Sequence, residues 1–154
     1  MSLHDAATGT DLVSCKGAPA IPQHGDTCNA IHGDTTCSAS LPILCIKKAG
    51  LPKPEGLPTC DNAMNCAWSG GQLALTPPLQ GCLLTNAAKA DELCSTYAGA
   101  GYVQAGWHDG RAGGGNGYGF FAQSNLFNGT APTRFWVSIS DQKANCWNPR
   151  GSVN

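Results

Sequence analysis

Apolar and polar positions alternate most regularly near the end of the chain. In "TRFWVSISDQ" (133–142) Phe135, Val137 and Ile139 take every second position, separated by Trp136, Ser138 and Ser140. That is the period of a strand whose successive side chains face opposite ways. "LPILCIKKAG" (41–50) is short, apolar and partly β-branched, stops at Gly50, and predicts a second strand. A third is predicted near 72–76, stopped by Pro77 and Pro78. The helical period is strongest at 85–98, "TNAAKADELCSTYA", where Ala87, Ala90, Cys94, Tyr97 and Ala98 mark one buried face. Its residues favour helix, Thr85 is the expected N-cap and Gly99 the expected C-cap. "YVQAGWHDG" (102–110) predicts a strand running into a turn.

The rest reads as connection. Residues 1–40 carry Pro19, Pro22 and several glycines, and 51–66 carry Pro52, Pro54 and Pro58. Residues 111–132, "RAGGGNGYGFFAQSNLFNGTAP", predict a long glycine-rich loop, and loops of that length in compact domains are usually either functional or mobile. The pattern predicts one α+β domain over 1–154, with a loop-rich segment at 1–40 and an α+β core at 41–154. In that core an antiparallel sheet carries one main helix and long loops.

Composition changes the picture in two ways. Charged residues make up 12% of the 154 and the net charge is −1, against roughly 25% charged in an ordinary domain. No basic stripe suits nucleic acid, and no apolar run approaches the ~18 residues of a membrane span. Second, nine cysteines are scattered along the chain without a Cys-x-x-Cys pair. Cytosolic proteins rarely keep so many thiols without a metal or redox role, so a disulfide-stapled, secreted protein is expected, extracellular or periplasmic. The start "MSLHDAATGTD" has neither the basic end nor the apolar core of a signal peptide and reads as a mature chain. Nine is odd, so four bridges leave one thiol, available for self-association.

"HGDTCNAIHGDTTC" (24–37) nearly repeats itself. His24, Cys28, His32 and Cys37 are a candidate zinc set, but their spacing matches no standard finger. Gly-Asp pieces make turns, so turns joined by disulfides are the expectation and zinc the alternative. Cys28, Cys37, Cys45, Cys60 and Cys66 are expected in disulfides, with their pairing open. "DNAMN" (61–65) and "SDQ" (140–142) hold oxygens suited to calcium but match no EF-hand loop. No cofactor is expected.

The second half, "ADELCSTYAGAG", then "YVQAGWHDG", a long excursion, and "RFWVSISDQKANCW", resembles the C-type lectin-like fold over 85–148. Most of the chain also resembles a family of uncharacterised secreted bacterial cysteine-rich proteins with "GDTTC…LPILCIK" early and "RFWV.I.DQ.ANCW" late. The lectin resemblance implies a bridge from Cys94 to Cys146 and a ligand face on the long loop. It does not extend to calcium-dependent sugar binding, because Glu-Pro-Asn, Gln-Pro-Asp and Trp-Asn-Asp are all absent.

The densest chemistry is "GWHDGRAGGGNG" (106–117). His108 suits a general base near neutral pH, and Arg111 suits a carboxylate or sulfate. Adjacent strand residues face opposite ways, which separates His108 from Asp109. The expectation is a secreted or cell-surface binding or structural module of lectin-like architecture, with an extracellular glycan or protein as ligand. Trp107, His108, Arg111, Asn116, Tyr118, Asn145 and Trp147 are its candidate ligand residues. The alternative is a small extracellular hydrolase using His108 with Asp109 or Asp141.

Overall fold

The computed structural model describes residues 2–14, 28, 32–57, 67–113, 119–127 and 134–148. Residues 2–14, predicted as loop, form a hairpin of β1 (Ser2–Asp5) and β2 (Thr10–Ser14). Asp5 holds its turn, accepting from the Ala7 amide at 3.0 Å and the Thr8 hydroxyl at 2.9 Å. Gly9 takes the positive φ of 62° that closes it. Every residue of β2 is buried, so the strand shows no period-2 alternation.

The other strands are β3 (Ser40–Leu41), β4 (Leu44–Lys47), β5 (Ala67–Leu75), β6 (Leu79–Gln80), β7 (Val103–Gln104) and β8 (Gly119–Gln123). The main sheet has six strands in the order β1-β2-β8-β5-β4-β7, and β3 and β6 pair apart from it. The chain is α+β, as predicted, but the sheet is mixed and not antiparallel throughout, because β5 and β8 run parallel. β8 itself lies inside the stretch predicted as loop. Its Phe120, Phe121 and Ala122 are all fully buried, so it too lacks alternation. β5 bulges between Trp68 and Gln72. Gly71 fits there because a Cβ would lie 2.6 Å from the Ile46 side chain.

Both faces of the sheet are covered. Val13, Leu44, Ile46, Phe120 and Ala122 pack with Trp107, Phe127 and Ile139. On the other face α1 (Ala87–Ala98) buries Ala90 and Cys94 against Ile43, Cys45 and Leu84, while Leu12 and Phe121 pack with Leu57. Asn86, not Thr85, caps the helix: its side chain accepts from the Lys89 amide at 2.8 Å. Ala87 and Tyr97, expected on the buried face, are exposed.

The segment 134–139, predicted as the clearest strand, makes only isolated bridges, Ile43 to Trp136 and Gly106 to Ser138. It is a wedge between two neighbours. Trp136 donates to Pro42 and accepts from Leu44, whereas Ser138 donates to Ala105 and accepts from Trp107. The alternation of side chains is real: Phe135, Val137 and Ile139 meet one cluster and Trp136 the other. The backbone bonds go to two partners, so no ladder forms.

Two disulfides are described, Cys45–Cys94 and Cys37–Cys146. The expected Cys94–Cys146 bridge is thus corrected. Helix residue Cys94 packs over β4 beside Cys45, while the closing segment carries Cys146 to the end of the "HGDTTC" turn. Cys28 is also disulfide-bonded. Cys28 and Cys37 of the opening repeat are thus both in disulfides, a state in which a sulfur is no thiolate. Cys82 is exposed and is the free thiol among the described residues.

Peptide mapping without reduction should therefore recover a 45–94 link and a 37–146 link, with Cys82 open to alkylation; a 94–146 peptide would refute the pairing. Replacing both Cys45 and Cys94 by Ala opens a 49-residue separation, and chain entropy predicts a loss of about 4 kcal/mol in urea unfolding.

Candidate functional site

The turn after β7 carries the predicted chemistry. Asp109 shapes it, accepting from the Gly106 amide at 2.7 Å, and its other oxygen meets Lys48 Nζ at 2.8 Å. Asp109 is thereby committed to the turn and does not pair with His108. His108 instead donates from Nε2 to Asp141 Oδ1 at 2.9 Å, and Arg111 Nη2 lies 3.4 Å from Asp141 Oδ2. Thirty-three positions separate His108 from Asp141 in sequence, and the wedge brings them together.

Asn145 sets that approach. It was a candidate ligand residue, but it is buried, and its amide clamps Ile139 from both sides. Oδ1 accepts from the Ile139 amide at 2.9 Å and Nδ2 donates to the Ile139 carbonyl at 2.8 Å. The loop between carries Asp141, and Cys146 anchors its end. Trp107, also expected to face ligand, is a core residue. Trp147 is half-buried against the helix cluster. Arg134 reaches the second half of the repeat, donating to Asp34 at 3.0 Å and Thr35 at 2.8 Å. His32 is exposed. His24, Cys60, Cys66, Asn116 and Tyr118, with the "DNAMN" stretch, lie outside the described residues.

The electrostatics follow from the contacts. The hydrogen bond from His108, together with the charges of His108 and Arg111, holds the Asp141 carboxyl below its ordinary value. A depressed carboxyl stabilises the fold above its unfolded value, and that contribution is lost as pH falls through the lower folded value.

A second pair was not anticipated from the sequence. His4 on β1 faces Asp11 on β2 across the hairpin, and its Nδ1 donates to Asp11 Oδ1 at 2.7 Å. Asp11 is fully buried, and its Oδ2 accepts from the Leu126 and Phe127 amides. The strand register that makes His4 and Asp11 neighbours was the missing signal.

Among the described residues no three His, Cys, Asp or Glu side chains group as a metal site, and no helix is long and apolar enough to cross a membrane. Compared with protein families, with curated proteins and with solved structures, the chain matches none.

Two measurements test this geometry. Asn145→Ala strands the Ile139 amide and carbonyl and should cost about 2 kcal/mol in urea unfolding; a neutral result would remove the clamp. A carboxyl NMR titration should find Asp141 below its ordinary value, returning toward it in His108→Ala.

Proposed function

We propose that the chain is a secreted, disulfide-stapled binding module whose ligand face is the His108–Asp141–Arg111 patch. The exposure order within that patch carries the reading. The His108 side chain is 7% exposed and the Asp141 side chain 42%. A hydrolase built on such a pair needs the reverse, with the imidazole meeting substrate and the carboxylate orienting it from behind. Here the buried imidazole holds a carboxylate out to solvent beside the half-exposed Arg111. An acceptor and a forked donor side by side suit a polar extracellular ligand, glycan or protein.

The cross-links favour an oxidising compartment, outside the cell or in the periplasm. With the C-type lectin-like fold the chain shares a helix on a sheet and a closing segment stapled by its cysteine. It differs in sending the helix cysteine to β4. The His108–Asp141 distance of 2.9 Å is what a hydrolase would also use, so the test must separate the two.

Arrays of extracellular glycans and matrix proteins, probed with the full chain, should retain it on at least one ligand. An Arg111→Ala, Asp141→Ala double variant should lose that retention at least tenfold. Undiminished retention would move the face elsewhere. Turnover of ester or peptide substrates that disappears in His108→Ala would establish the hydrolase instead.

A further inference from the structure

A groove of about 450 Å³ opens beside the turn of the first hairpin, among residues that take no part in the His108 patch. Strand topology explains the opening. β8 gives its last ladder partner at Gln123, opposite Gln72, while β5 runs on to Leu75 and pairs only with β4 there. The notch left by β8 is lined by His4, Gln72, Tyr102, Gln123, Ser124 and Asn125.

The lining contains three amides, a hydroxyl, a phenol ring and an imidazole. Among the described residues no Asp, Glu, Lys or Arg lines it. The one ionisable imidazole, His4, is already paired with buried Asp11, so an ionic ligand would shed water there without meeting an unpaired countercharge, which is unfavourable. Amide side chains offer donors and acceptors together, the complement of a ligand whose hydroxyls each do both. Tyr102 is anchored by packing against the helix cluster and adds an aromatic surface for C–H groups.

Two of the polar side chains are oriented in advance. Gln123 donates through Nε2 to the Gly9 carbonyl at 2.8 Å, which orients its amide and leaves Oε1 to accept. His4 donates a hydrogen bond from Nδ1 to the buried Asp11 carboxylate at 2.7 Å, which orients the ring. Its Nε2 is left for a ligand, with no partner among the described residues. Asp11 is in turn held by the Leu126 and Phe127 amides, so the imidazole cannot swing freely.

We propose that this groove binds an uncharged, polyhydroxylated ligand of mono- to disaccharide size. The volume lies within the ~300–1,000 Å³ of small-molecule sites. The proposal stands on residues separate from the His108 patch, so either can fail alone.

Saturation-transfer NMR on the full chain tests it, with cellobiose, maltose, diacetylchitobiose and mannobiose as probes and glucuronic acid as the charged control. At least one neutral disaccharide should receive saturation, with affinity falling at least tenfold in Gln72→Ala and in Asn125→Ala. Asn125 is exposed, so its replacement leaves folding intact. Lys53→Ala, an exposed change outside both surfaces, should bind the same disaccharide as the wild type does. Silence from all four probes, transfer to glucuronic acid alone, binding unchanged in both groove variants, or an equal loss in Lys53→Ala would each overturn the assignment.

Discussion

The six-stranded sheet is one body only because β5 and β8 lie side by side in parallel. On one flank of that seam stands the first hairpin, joined through β2. On the other stand β4, β7 and the helix. β8 holds the seam by filling both faces at once: Phe120 packs with Val13 on one side and Phe121 with Leu12 on the other. Fully burying each ring contributes roughly 1.5–3 kcal/mol. The residues just past β8 then reach back to Asp11, so the hairpin, the His4 pair and the groove all inherit their positions from this one strand.

Buried polar side chains act here as fasteners for irregular backbone. Asn145 closes the loop that carries Asp141, Asp109 closes the turn that carries His108, and Asp11 closes the turn after β8. Each supplies the partners that backbone groups lack outside a ladder. Gln104 contrasts with them. Its amide is buried beside the helix with neither atom partnered among the described residues. That is a cost the helix face carries without an evident return.

The sequence disclosed elements where one face is wet or the turn chemistry is plain. The helix showed its period and its glycine end, β4 stood between proline and glycine breaks, and β5 was legible only in its second half because Gly70 and Gly71 lie inside it. β2 and β8 were invisible because both faces are buried, and β8 was further disguised by the glycines around it. The wedge at 134–139 has a strand's alternation without a strand's ladder, a distinction that only the partners make. At the candidate site, residue types were legible and roles were not. Asn145 and Trp107 look like ligand contacts in sequence, yet their depth makes them supports. Asp141 was one of two carboxylates named for His108, and the wedge, which local sequence does not encode, selects it over Asp109.

The long reach of these contacts has a consequence for how the protein is made. Asp11 waits 115 positions for the amide of Leu126, and Cys37 waits 109 for Cys146. As the chain emerges residue by residue, Cys37 meets Cys45, Cys60, Cys66, Cys82 and Cys94 before its own partner exists. Oxidation in order of emergence would join the wrong thiols, and the hairpin would present a bare edge throughout synthesis. Correct pairing therefore belongs to the finished chain, reached by late oxidation or by reshuffling, and not to the order in which the cysteines appear.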